Sequence, residues 1–161
     1  MYGDIMNLVA MRHNGEFASA SAIFSQAASA VTEVKLTIPV GYVALLLTHG
    51  GYTNKSDVLV EWKNAQKELL FSWDEFPDTF FQDTQIPFTE NVHRNEIYIY
   101  FTNNSGSIAT NLIMQSLLMI PEPEEKAFLE DLQRAADNIL GIRVQTAQKT
   151  RSPTEKVTCT R

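Results

Sequence analysis

Glu96-Ile97-Tyr98-Ile99-Tyr100-Phe101-Thr102 is the stretch that decides how this chain folds. Its β-branched and aromatic residues favour extended backbone, and a period of two sends Ile97 and Ile99 to one face and Tyr98 and Tyr100 to the other. One face is therefore apolar and the other amphipathic, as in a sheet with one side against a core. Asn103-Asn104-Ser105-Gly106-Ser107 follows as a run of turn formers, and the apolar stretch from Ile108 to Ile120 comes next. Together these read as a β-hairpin with a Gly-containing turn.

Upstream, Val34, Leu36 and Ile38 alternate with Lys35 and Thr37, the pattern of a strand with one buried face, and Pro39 and Gly41 end it. Tyr42 to Thr48 is almost wholly apolar, as in a strand buried on both sides. His49-Gly50-Gly51-Tyr52-Thr53-Asn54-Lys55-Ser56 then reads as a turn-rich loop. Val58 to Trp62 and Glu68 to Trp73 are rich in β-formers, and polar Lys63 to Lys67 between them is a hairpin connection. Asp74 to Asn95 carries two prolines, several acids and scattered aromatics, which suits a long loop with one or two short strands.

The flanks differ from this centre. Residues 1–31 are expected to form an N-terminal arm or short helix: Phe17, Phe24, Ala28 and Val31 share a helical face, while the Ala/Ser alternation from Ala18 to Ser21 equally suits a strand or an extended arm. Pro121-Glu122-Pro123 stops the last strand. Glu124-Glu125 then opens a C-terminal helix whose Phe128, Leu132, Ala135, Ala136 and Ile139 line one face, with Gly141 as its expected stop. The division expected is an arm or helix over 1–31, a sandwich core over 32–120, a helix over 121–141 and a flexible tail over 142–161. The fold class is mainly β: an antiparallel, jelly-roll-like β-sandwich with an N-terminal arm or short helix and one C-terminal helix.

Composition narrows function by exclusion. A chain of 161 residues with 44% hydrophobic and 20% charged residues has the balance of one globular domain. Its net charge of −6 opposes bulk nucleic-acid binding. Apolar runs such as Val43 to Leu47 are far shorter than the ~20 residues of a membrane-spanning helix. No secretory signal is read at Met1-Tyr2-Gly3-Asp4-Ile5, so the expected location is a virion or else the cytoplasm. Cys159 alone rules out an internal disulfide framework.

Catalytic and metal motifs are missing from the pattern. His13, His49 and His93 are far apart, with no His-x-His or His-Glu-x-x-His spacing. Gly-x-Ser-x-Gly is absent, and Ser105-Gly106-Ser107 has the small polar residues that a turn requires. Gly50-Gly51 is not followed by a helix, so it is read as a turn and not as a phosphate loop. Asp74, Glu75, Asp78, Asp83 and Glu90 lack the spacing of a calcium loop and read as solvated acids. Glu61, Asp74 and Glu75 have no separation readable from sequence that would make a glycosidase pair. The expectation is a protein that is not an enzyme and carries no cofactor.

Aromatic residues remain as the candidate binding or interface set: Trp62, Trp73, Phe76, Phe80, Phe81, Tyr98, Tyr100, Phe17 and Phe24. On a sheet face they suit a sugar platform or a covered subunit interface. The interface reading is favoured because Tyr42 to Leu47 and Leu112 to Ile120 call for cover on both faces.

Ile38-Pro39-Val40-Gly41-Tyr42 opening an apolar strand, with the short strands and the Glu96 to Ile120 pair after it, resembles the small β-sandwich and single jelly-roll proteins of virus and phage particles. The resemblance covers residues 32–120. It implies a building block whose terminal arms, 1–31 and 142–161, reach onto neighbouring copies. The expected function is thus structural, in a homo-oligomer or larger virion assembly; the alternative is a monomeric module binding a carbohydrate or receptor.

Overall fold

The computed structural model describes residues 2–73, 79–84 and 90–150. Among the described residues, helix α1 (Tyr2–Arg12) precedes eight strands: β1 (Glu16–Gln26), β2 (Val31–Thr37), β3 (Tyr42–Thr53), β4 (Val58–Lys63), β5 (Leu69–Trp73), β6 (Thr79–Asp83), β7 (Glu96–Asn103) and β8 (Ala109–Pro121). A 3-10 turn at Glu122–Glu124 leads into helix α2 (Glu125–Thr150). One antiparallel sheet has the order β1-β8-β3-β6 and the other β2-β7-β4-β5. First strand pairs with last, second with seventh, third with sixth and fourth with fifth, alternating between sheets, which is the strand order of a jelly roll.

Each sheet turns a period-two set of apolar side chains inward. Val58, Val60 and Trp62 of β4 meet Ile97, Ile99 and Phe101 of β7, and Ala44, Leu46, Ala109, Ile113 and Leu117 close the core from the other sheet. A second cluster lies on the outer face of the β1-β8-β3-β6 sheet. There Val9 and Ala10 of α1 and Phe128 and Leu132 of α2 cover Val43, Leu45, Leu118 and Ile120. Fully burying each such large side chain contributes roughly 1.5–3 kcal/mol, so the helices are docked by the same force that closes the sandwich. Part of the cover that Tyr42 to Leu47 and Leu112 to Ile120 require therefore comes from the chain's own ends.

Turn chemistry fixes two corners. In Pro39-Val40-Gly41-Tyr42 the Tyr42 N–H bonds the Pro39 carbonyl at 3.2 Å, and Gly41 has φ 86°, the left-handed third position of a type II turn. The β4–β5 hairpin expected from sequence is present. Asn64 Oδ1 accepts from the N–H of Gln66 at 3.0 Å and of Glu68 at 2.9 Å, which leaves Lys67 to take the positive φ.

Five sequence expectations are corrected. Residues 16–26 are not an arm: β1 pairs along its whole length with β8, from Glu16 opposite Met119 to Gln26 opposite Ala109, so the sandwich begins well before residue 32. Small Ala and Ser side chains carry little hydrophobic signal, and only the partner strand reveals the pairing. His49 to Thr53 is not a loop but the second half of β3, opposite Gln115 to Asn111, its glycines held extended between two neighbours.

β7 and β8 are not a hairpin. They lie in facing sheets, and the crossing is made by Asn103, whose Nδ2 donates to the Ala27 and Ser107 carbonyls at 2.9 Å and whose Oδ1 accepts from Ser105. Alternation alone does not tell a strand that pairs beside its neighbour from one stacked opposite. Fourth, α2 runs through Gly141 to Thr150, since one interior glycine costs only about 1 kcal/mol relative to alanine. Fifth, residues 142–150 are accordingly helix, and 151–161 lie outside the described residues.

Candidate interaction surfaces

Tyr98 and Tyr100 stand on the outer face of the β2-β7-β4-β5 sheet, because Ile97, Ile99 and Phe101 take the inner one. Register sets Lys35 and Lys63 on either side of Tyr98, and Glu33 and Glu61 on either side of Tyr100. The rings stack with centroids 6.4 Å apart. Lys67 Nζ lies 4.6 Å from the Tyr98 centroid, and Lys63 Nζ lies 4.7 Å from that of Tyr100. Lys35–Glu96 (2.9 Å), Lys67–Glu33 (3.2 Å) and Lys63–Glu61 (3.5 Å) pair the charges.

The tyrosine hydroxyls donate to Glu33 and Glu96. Those bonds, with the lysines beside them, hold both carboxyls below their usual range, and the Glu96 bond raises the Tyr98 phenol. A sugar stacks on a bare ring face; here ammonium groups already lie over the rings. The charged groups form a matched ladder over the rings, and Tyr98 beneath it is only 9% exposed.

The tryptophans go elsewhere. Trp62 has no exposed surface and stacks on Phe71 inside the sandwich at 4.8 Å, so it is a core residue and not part of a binding face. Half-buried Trp73 donates its Nε1–H to His49 Nε2 at 3.1 Å. That bond assigns the ring proton of His49 to Nδ1, which faces Thr84 Oγ1 at 3.2 Å. Burial pushes the His49 imidazole down to about 4, and it is held neutral.

The other two histidines are far from it in role. His93, also pushed down to about 4 by burial, bonds Asn91 Oδ1 at 2.9 Å. His13, just past α1, is gripped by Glu124 Oε2 at 3.0 Å and Asp131 Oδ2 at 2.9 Å, a geometry that needs both ring nitrogens protonated. These hydrogen bonds, Glu124 first, raise its pKa. Among the described residues no three His, Cys, Asp or Glu are grouped to hold a metal ion. No helix among them is long and apolar enough to cross a membrane.

Phe17 and Phe24 part company because β1 is a strand: seven residues apart, they fall on opposite faces. Phe24 turns in and meets Phe101 edge-on at 5.0 Å, whereas Phe17 points out and is 52% exposed. On the same outward row Ile23 is 73% exposed, and on α1 Leu8 and Met11 are 62% and 75% exposed. These three were missed in the sequence; the signal for Ile23 was the alternation Phe17-x-Ser19-x-Ser21-x-Ile23, legible once the segment is taken as a strand. Phe76 lies outside the described residues. Phe80 and Phe81 belong to β6, where the backbone sets them opposite Gly51 and Gly50. Of the loop acids, Asp74, Glu75 and Asp78 lie outside the described residues, Asp83 ends β6 and Glu90 is exposed.

No family model matches the chain, and no curated protein matches it in sequence. Among solved structures it is similar to a Bacillus endospore appendage protein described as forming disulfide-linked pili, at 6% identity over 66% of this chain and 89% of that one, with a TM-score of 0.37. It is also similar to PliG of Aeromonas hydrophila, a periplasmic inhibitor of g-type lysozyme, at 11% identity over 62% and 85% of the two chains and a TM-score of 0.36. A third is the infectious bursal disease virus VP2 subviral particle, at 8% identity over 66% of this chain and 37% of that one, with a TM-score of 0.34. Likenesses of this degree carry no argument about function, and the jelly-roll assignment stands on the strand order itself.

Proposed function

We propose that this protein is a structural, self-assembling subunit, a capsid or accessory component of a virion, whose N-terminal helix and first strand make contacts between copies. The observation that carries this reading is the placement of Leu8, Met11, Phe17 and Ile23. Four of the eight exposed large apolar side chains among the described residues fall on α1 and the adjoining edge strand, whereas the other four, Val31, Val40, Leu69 and Ile108, are scattered over separate strands and turns. Exposed apolar side chains concentrated in one part of a chain mark a surface that another molecule covers. A jelly roll supports the virion assignment because capsid domains use it.

Size-exclusion chromatography with light scattering tests the reading. The expected result is a mass well above the 18.1 kDa of one chain, rising with concentration. A monomer at every concentration overturns it. For the virion assignment, mass spectrometry of purified particles is expected to find the chain in the particle fraction. The rival, a carbohydrate-binding module, is weakened by Trp62 lying in the core and by the lysines over Tyr98 and Tyr100; a glycan array is expected to give no hits.

A further inference from the structure

Among the described residues β1 is an edge strand, with β8 on one side and no strand on the other. At eleven residues it is the longest of the four edges; β5 and β6 have five residues each, and seven-residue β2 carries Glu33 and Lys35. Natural sheets protect such edges with lysine, proline, bulges or a covering element. β1 has no lysine, no proline and no register shift against β8, and its single charge is Glu16 at the start. Residues 17–32 contain no charged side chain at all in a chain of net charge −6. Two copies that repel over most of their surface meet least repulsion there.

The sequence of this edge is its own complement. Phe17-Ala18-Ser19-Ala20-Ser21-Ala22-Ile23 reads as apolar-Ala-Ser-Ala-Ser-Ala-apolar in either direction, with Ala20 at its centre. An antiparallel strand laid against it about a two-fold axis through Ala20 sets Phe17 opposite Ile23, Ala18 opposite Ala22 and Ser19 opposite Ser21, twice over. Apolar pairs then fall at both ends of the outer face and small residues in the middle, and each Glu16 lies across from a Phe24, far from its twin. Cross-strand apolar pairs stabilise, and like charges placed opposite destabilise, so this register is the favoured one.

We infer that β1 pairs antiparallel with β1 of a second copy about a two-fold axis at Ala20, joining two four-stranded sheets into one continuous sheet across an isologous dimer. This inference rests on the self-assembly reading and names the surface that performs it. The backbone groups on the free side of β1 gain partners, and Phe17 and Ile23 of each copy cover one another.

The test is sedimentation equilibrium on the full chain and two sets of variants. Ser19→Lys/Ser21→Lys places lysines on an exposed row, facing their counterparts across the axis. It is expected to weaken the dimer at least tenfold, while Val40→Lys, at a fully exposed turn, leaves it unchanged. In a Cys159→Ser background, Ala20→Cys is expected to give a disulfide-linked dimer under mild oxidation, and Ser25→Cys is not. A wild-type chain that is monomeric throughout overturns the assembly reading together with this inference. An assembling wild type whose mass is untouched by Ser19→Lys/Ser21→Lys, and which does not cross-link through Ala20→Cys, overturns the β1 pairing alone. Cross-linking at Ser21→Cys in place of Ala20→Cys overturns the proposed register.

Discussion

The side-chain amide of Asn91 holds both backbone polar groups of Leu46: Oδ1 accepts the Leu46 N–H at 3.2 Å, and Nδ2 donates to the Leu46 carbonyl at 2.7 Å. The pairing of β3 with β8 shifts register between Leu46 and Thr48, and Thr84 N–H takes the Leu47 carbonyl at 2.8 Å. Asn91 does the work of a neighbouring strand where the ladder is interrupted.

Asn91→Ala leaves a buried N–H and a buried carbonyl without partners, and removes the oxygen that His93 bonds. Each orphaned group costs about 1–3 kcal/mol, so the variant is expected to lose roughly 2–6 kcal/mol, measured as a lower urea midpoint with an unchanged slope.

Stability is expected to fall on both sides of a maximum near pH 6.5–7. His49 and His93 have folded values of about 4, below the ordinary 6.5, so the unfolded chain takes up protons first as pH drops. Their contribution is present above 6.5 and is lost between 6.5 and 4, roughly 2–3 kcal/mol for each at pH 4. His13 runs the other way. Its folded pKa is raised, so the stability it adds is full below 6.5 and is lost as pH rises through the folded value. Denaturation series from pH 4 to 9 check this, and His13→Gln is expected to flatten the alkaline limb while leaving the acid limb in place.

Gln115 points into the sandwich from β8, 2% exposed, and among the described residues neither its Oε1 nor its Nε2 has a hydrogen-bond partner. Gln115→Met keeps the volume and removes the desolvated amide, so it is expected to raise stability by roughly 1–2 kcal/mol. A fall in the urea midpoint instead would mean that an internal water holds the amide.

Gly15 joins α1 to β1 where nothing larger fits. Its N–H bonds the Ala10 carbonyl at 2.7 Å, and a β-carbon there would meet Ile120 Cδ1 at 2.8 Å and Ala10 Cβ at 3.0 Å. Ile120 is fully buried under the helices, so its Cδ1 moves only by displacing packed neighbours. Gly15→Ala is expected to cost roughly 1–3 kcal/mol, read from the same midpoint.

Strands with bulky alternating residues were legible: Val34, Leu36 and Ile38 turn in as read, as do Ile97 and Ile99, and the Asn64 to Glu68 turn closes the β4–β5 hairpin. What escaped was set by distant partners. Ala18 to Ala22 becomes a strand because β8 lies beside it, and His49 to Thr53 because it is flanked on both sides. For the surfaces, Tyr98 and Tyr100 were placed correctly outward, but Val58-x-Val60-x-Trp62 carried the sign that Trp62 belongs inside, and its size drew attention to the wrong face. His13 gave no local signal, since Glu124 and Asp131 reach it only after α2 has docked.

Pairing the first strand with the last also dictates when the protein can be finished. Glu16 leaves the ribosome long before Met119, its eventual neighbour, so β1 waits with neither side satisfied until β8 has been made. Folds dominated by such distant pairings close on the millisecond-to-second scale, slowly enough for the waiting segment to meet others like itself. Polysomes that carry several nascent chains would bring those segments together before any one chain is complete.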